Sequence, residues 1–298
     1  MKKTSALWCA ALLQGLLQLL LLAATGAHGA LREEQLDVPV QVSGIDGRRI
    51  AQSIRVTVFS DDANPAPAPL IVLNHGRAAQ SAERAAMGRA RYSVASRFFV
   101  AQGFVVAVPT RIGYGVTGGE DVEASGQCGS RRYAPAYEAG LAQTLRVLQV
   151  MRARPDVDPA RAVIVGQSFG GTIAIAAAAQ NPAGVVAAIN FAGGGGGNPK
   201  TQPQRPCSPE ALERLFGQYG KTAHMPTLWI YTENDQYFGP TYPQEWFKAF
   251  REAGGKGEFT QFPPYGEDGH ALFSRYPEVW QPRVRVFLEQ VGLMRQRR

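Results

Sequence analysis

Short, unbroken apolar runs recur along this chain and alternate with stretches whose apolar positions follow a helical spacing. Residues 36–43 and 50–60 alternate apolar and polar positions around Gly44-Ile45-Asp46-Gly47, which predicts an antiparallel N-terminal hairpin. Leu70-Ile71-Val72-Leu73 and the runs 104–108, 162–165, 185–191 and 227–231 read as strands covered on both faces, with a last strand at 258–262. Helical spacing over 92–102, 133–152, 244–253 and 279–291 places helices between and after them. This alternation predicts an α/β fold, with a mostly parallel central sheet and helices on both faces. The connection Asn64-Pro65-Ala66-Pro67-Ala68-Pro69 is stiff and too short to separate domains, and no internal repeat is present.

One unit stands out within this pattern. Gly166-Gln167-Ser168-Phe169-Gly170 follows the strand Ala162-Val163-Ile164-Val165 and precedes a helix-forming run ended by Asn181-Pro182. A G-x-S-x-G turn between strand and helix forces its Ser into a strained conformation. It lifts the hydroxyl off the sheet edge at the positive end of a helix. Small residues are needed two places before and after the Ser because strand and helix approach closely. Ser168 is therefore the candidate nucleophile.

A serine needs a base to take its proton and a third group to hold that base in one tautomer. Beyond the leader described below, the chain has three histidines. His224 precedes Met225-Pro226 at a strand entry, the wrong end of the sheet for this chemistry. His75 sits in a loop that needs shaping. His270 lies in Gly266-Glu267-Asp268-Gly269-His270, a Gly-bracketed loop after the final strand, and is the expected base. Enzymes built on this elbow run nucleophile, acid, base along the chain. Asp235, just past the strand at 227–231, is the expected acid, with Glu233 and Asp268 as rivals. Acyl transfer also needs donors for the developing oxyanion. The Phe169 N–H follows the nucleophile, and the Arg77 N–H follows His75-Gly76 at the end of the strand at 70–73.

Composition and charge narrow the picture. The net charge is +7, but the arginines are scattered rather than clustered with aromatics, so no nucleic-acid partner is expected. Met1-Lys2-Lys3, an apolar stretch over 7–24 and Ala27-His28-Gly29 form a signal peptide pattern over 1–29. Its removal leaves a catalytic domain over 30–298 with no membrane span, exported to the periplasm or secreted. Cys9 departs with the leader, leaving Cys128 and Cys207, an even pair in an exported chain that suggests one disulfide. The glycine run 193–197 lacks the GK[ST] of a phosphate loop. With the polar, Pro-rich stretch behind it and a short helix over 209–219, it predicts a lid-like insertion over 193–223. Neither H-E-x-x-H nor C-x-x-C occurs, so no metal or cofactor is expected.

These segments resemble the α/β-hydrolase superfamily and, within it, exported bacterial proteins of the dienelactone hydrolase-like group. The likeness rests on Asn74-His75-Gly76, Arg111-Ile112-Gly113-Tyr114-Gly115, Gly166-Gln167-Ser168-Phe169-Gly170-Gly171, Asn190-Phe191-Ala192-Gly193-Gly194, Glu233-Asn234-Asp235 and Gly266-Glu267-Asp268-Gly269-His270. It spans residues 31–292. Dienelactone hydrolases proper use a cysteine nucleophile, whereas this chain has Ser168, so their lactone substrate does not carry over. The resemblance implies an α/β-hydrolase fold and a serine hydrolase of small carboxylic esters. A peptidase or amidase on the same triad is the alternative, weakened by the lack of a propeller-sized N-terminal domain. A non-catalytic binding protein is a further reading. In this frame the disulfide pins two walls of the active-site mouth, and Tyr114, Tyr237, Phe238 and Trp280 are either pocket lining or plain packing.

Overall fold

The computed structural model describes residues 31–294; the signal peptide expected over 1–29 lies outside the described residues. Eight strands form one sheet: β1 (Leu31–Ser43), β2 (Arg49–Asp61), β3 (Ala68–Asn74), β4 (Val105–Thr110), β5 (Val157–Gln167), β6 (Val185–Phe191), β7 (Thr227–Thr232) and β8 (Gly257–Phe262). Their order is β1-β2-β4-β3-β5-β6-β7-β8. The β1–β2 and β2–β4 pairs are antiparallel and the rest are parallel. The N-terminal hairpin thus extends an otherwise parallel sheet, as its alternating pattern predicts. β3 and β4 are buried along their whole length, which is why their sequences are apolar without alternation.

The helices are α1 (Ser81–Ala85), α2 (Ser93–Ala101), α3 (Tyr133–Arg152), α4 (Phe169–Gln180), α5 (Pro209–Gly220), α6 (Tyr242–Glu252), α7 (Leu272–Arg275) and α8 (Pro277–Gln290). Helices α3 to α6 cover one face of the sheet and α2 and α8 the other, giving two cores separated by the strands. Helix α4 is buried from Phe169 to Ala179, so its apolar run has no polar face to show. Among the described residues, no helix is long and apolar enough to cross a membrane.

The segment expected to form an insertion over 193–223 divides in two. Residues 194–198 and 201–202 line a cavity at the carboxyl ends of the strands. Helix α5 instead buries Leu212, Leu215 and Phe216 on the sheet face, with Phe216 edge-on to Trp229 at 5.0 Å between ring centroids. Its amphipathic spacing makes it a layer of the core rather than a cover.

Candidate active site

Strand β5 lies between β3 and β6, with Gly166 in register with Asn74 and Asn190. Ser168 follows at φ 57° and ψ −124°, a conformation costly for a residue with a side chain. A Cβ at Gly166 would lie 1.9 Å from the Gly170 carbonyl oxygen, and one at Gly170 would lie 2.3 Å from that of Asn74. Both positions therefore require glycine. The Ser168 N–H donates to the Phe191 carbonyl at 2.8 Å, which ties the turn to the end of β6.

His270 and Asp235 arrive from the ends of the next strands. His270 Nδ1 donates to Asp235 Oδ2 at 2.9 Å. The carboxylate is fully buried and can only accept, so it fixes the proton on Nδ1 and leaves Nε2 as the free acceptor. The other oxygen, Asp235 Oδ1, accepts the N–H groups of Tyr237 at 2.8 Å and Phe238 at 3.0 Å. The His270 ring stacks on Tyr237 at 4.1 Å and meets Phe238 edge-on at 5.2 Å. Asp268 is committed elsewhere: its Oδ1 accepts the backbone N–H groups of His270 at 2.9 Å and Gln236 at 3.0 Å. Glu233 is exposed, and so is His224. Ser168 and His270 line one cavity.

The loop after β3 passes close to the elbow, where a Cβ at Gly76 would lie 3.2 Å from Ser168 Cβ. Phe169 opens α4, so its N–H has no intrahelical acceptor. The Arg77 N–H makes no hydrogen bond among the described residues. His75 shapes this loop. It accepts the Arg111 N–H at Nε2 (3.2 Å), which leaves Nδ1 to donate to the Gly76 carbonyl at 2.6 Å. Burial, and then the neighbouring Arg111 charge, push the His75 imidazole well below its ordinary pKa, so it stays neutral.

Beneath the loop lies a polar network that the sequence pattern does not announce. Arg111 and Glu123 form a fully buried ion pair, and the Tyr114 hydroxyl donates to Glu123 Oε2 at 2.6 Å. Arg77 makes a bidentate pair with Asp121 at 2.7 and 2.6 Å, and Arg84 joins the same carboxylate at 2.9 Å. Burial raises the Asp121 carboxyl pKa, but the two guanidinium groups outweigh it and hold the carboxyl below its ordinary value. Tyr92 and Gln167 complete the support. The Tyr92 hydroxyl accepts the Gly76 N–H at 3.2 Å and donates to Gln167 Oε1 at 2.9 Å, while Gln167 Nε2 donates to the His270 carbonyl at 3.3 Å.

Two cavities meet at Ser168. One, of about 290 Å³, is lined by Phe169, Phe238, Tyr133, Arg131, the glycine run and the Cys128–Cys207 pair. The other, of about 390 Å³, is lined by His270, Met87, Ala90, Tyr92 and Gln167. Cys128 and Cys207 are joined in a disulfide across 79 residues of sequence. Of the four aromatics considered, Tyr237 and Phe238 line the site, whereas Tyr114 and Trp280 are buried supports.

Comparison with known proteins places these features in a family. A family model described as the dienelactone hydrolase family matches residues 85–290. Among solved structures, an acetyl xylan esterase from Paenibacillus sp. R4 is 18% identical, with 88% of this chain and 89% of that one covered at a TM-score of 0.57. The Pyrococcus furiosus esterase Pf2001 is 15% identical over 86% of this chain and 90% of its own, at 0.54. An acylaminoacyl peptidase from Pyrococcus horikoshii is 15% identical over 94% of this chain but 44% of its own, at 0.57. At these identities the likeness is one of fold. No curated protein matches the sequence significantly.

Proposed function

The chain belongs to the dienelactone hydrolase family, and we propose that within it this protein is an exported serine esterase acting on small carboxylic esters. The observation that carries the reading is the buried Asp235–His270 hydrogen bond beside the cavity that Ser168 lines. Ser168 Oγ attacks the ester carbonyl while His270 Nε2 takes its proton. Asp235 orients the ring and stabilises the imidazolium. The Phe169 and Arg77 N–H groups hold the oxyanion, a contribution of about 3–4 kcal/mol per donor. His270 then protonates the leaving alcohol, and a water activated by the same imidazole releases the acid from Ser168.

Serine in place of the family's cysteine favours ester hydrolysis over lactone chemistry. The disulfide and the signal pattern over 1–29 support export, because such bonds persist in oxidising compartments. The glycine-rich segment after β6 acts in this reading as a fixed wall over the site.

The test is a panel of chromogenic esters and aminoacyl amides, run with wild type and Ser168→Ala, alongside labelling by a fluorophosphonate. Ester turnover and labelling that both vanish in Ser168→Ala are the expected result. Faster turnover of amides than of esters would turn the assignment to a peptidase. Labelling that does not depend on Ser168 would overturn the nucleophile.

A further inference from the structure

The two cavities at Ser168 differ in chemistry, and the difference bears on which half of an ester enters each. In a tetrahedral intermediate the leaving oxygen must lie within hydrogen-bond reach of His270 Nε2. The alcohol half therefore departs through the cavity that His270 lines, beside Met87, Ala90 and Tyr92. The acyl half is left with the other cavity, walled by Phe169 and residues 194–197.

That wall is made of backbone, and its polar groups are used unevenly. Two of its four carbonyls, and that of Gly193 just before it, are tied to neighbouring groups. Tyr231 Oη donates to Gly193 O at 2.8 Å, Tyr133 Oη shares its one proton between Gly195 O at 3.2 Å and the Cys207 carbonyl, and the Cys207 N–H donates to Gly196 O at 3.1 Å. The N–H groups of residues 194–197 have no acceptor among the described residues. Arg131 lines the same cavity. Its Nη1 meets Ser125 Oγ at 3.1 Å, its buried Nε has no partner, and no carboxylate among the described residues lies within salt-bridge distance. The 194–197 wall and Arg131 therefore offer this cavity N–H donors that no protein acceptor takes up, free to meet an acceptor on a bound acyl group.

We propose that the acyl half of the substrate carries an oxygen acceptor beyond the scissile carbonyl, a keto, hydroxy or ether oxygen, bound by the 194–197 amides and Arg131. The proposal rests on the esterase reading. It places Tyr133 as a positioning residue: by holding the Gly195 carbonyl it keeps that peptide from turning its acceptor toward the cavity.

The test compares 4-nitrophenyl 4-oxopentanoate with 4-nitrophenyl 4-methylpentanoate, which are close in size, a methyl group standing in the second where the first has its keto oxygen. Each kcat/KM is divided by the ester's own hydroxide-catalysed rate, so that intrinsic reactivity cancels. Wild type should prefer the oxo ester on the order of 10-fold, the scale of one recovered hydrogen bond. In Tyr133→Phe and in Arg131→Met, checked for folding by melting temperature, that ratio should fall toward one. Turnover of both esters with no preference for the oxo form overturns the proposal while leaving the esterase reading intact. A preference that both variants preserve overturns the assignment to this wall. Failure of wild type to cleave either ester, or any in the panel above, overturns the esterase reading and this proposal with it.

Discussion

Arg111 holds His75 at two points. Its backbone N–H donates to Nε2 at 3.2 Å, and its guanidinium Nη1 donates to the His75 carbonyl at 2.9 Å. Acceptance at Nε2 requires that nitrogen to be unprotonated, so the arrangement exists only while the ring is neutral.

A pH dependence of stability follows. The His75 pKa is lowered in the folded protein by burial and by Arg111, whereas the unfolded chain has an ordinary imidazole near 6.5. Between those two values the unfolded state binds more protons, so stability rises with pH there and is lost on acidification. The loss from this residue should begin near pH 6.5 and reach about 1.4 kcal/mol per pH unit below it. Urea unfolding of wild type and His75→Asn from pH 8 to pH 5 reads the effect. The variant is expected to be less stable at pH 8 but to show a shallower slope below pH 6.5. Equal slopes would show that His75 does not titrate in this way.

The Arg111–Glu123 pair lends itself to a dissociation of stability from activity. Both side chains are fully buried, so Glu123→Gln leaves a guanidinium without its counter-charge, a loss of about 3–5 kcal/mol. Replacing both partners, as Arg111→Met with Glu123→Leu, removes the stranded charge and should recover part of that loss. Activity should not recover with it, because the guanidinium that holds the His75 carbonyl is gone. Melting temperature and kcat/KM measured on wild type, Glu123→Gln and the double variant decide the matter. Recovery of both together would mean that the pair serves stability alone.

Asp235 and Asp268 both contact His270, but at different atoms. Asp235 meets the ring Nδ1 and Asp268 the backbone N–H. Asp235→Asn should lower kcat by about 10³- to 10⁴-fold, because an amide no longer fixes the required tautomer. Asp268→Asn keeps a carbonyl acceptor for the same backbone donors and should cost at most about 10-fold. A larger loss in kcat from Asp268→Asn than from Asp235→Asn would reverse the assignment of the acid.

Much of this was legible in the chain because it is local. The apolar runs around Leu70, Val105 and Val163 state that their strands are covered on both faces. The elbow glycines are read from spacing, since the close approach that demands them follows from the turn itself. Asp235 and His270 sit just beyond strand ends, where the topology collects them. The supporting network was not legible. Tyr92 reaches Gln167 across 75 residues and Arg77 reaches Asp121 across 44, and neither contact leaves a periodic trace. Gln167 occupies a variable place in the motif, so its bridge from Tyr92 to His270 carries no signal. Helix α5 and the glycine run ahead of it are contiguous in sequence but face different surroundings. The run lines the cavity, whereas the helix's amphipathic spacing buries Leu212, Leu215 and Phe216 on the sheet face, a division that composition alone does not mark.

The Cys128–Cys207 bridge joins the turn ahead of α3 to the end of the glycine-rich segment, and both cysteines line the cavity that holds Phe169. Two hydrogen bonds run alongside it: Ser208 Oγ donates to the Cys128 carbonyl at 2.8 Å, and the Tyr133 hydroxyl proton is shared between the Cys207 and Gly195 carbonyls. These stay in place without the covalent link, so reduction should loosen the wall rather than unfold the domain. For a cross-link spanning 79 residues the chain-entropy estimate is about 4.5 kcal/mol, an upper figure for the stability lost in Cys128→Ser with Cys207→Ser. Three readouts should move together. The melting temperature should drop, limited proteolysis should cut first within 193–208, and KM for the preferred ester should rise more than kcat falls, because the wall binds substrate without joining the chemistry. Unchanged stability, cleavage pattern and KM in the double variant would sink the idea that this bridge braces the site.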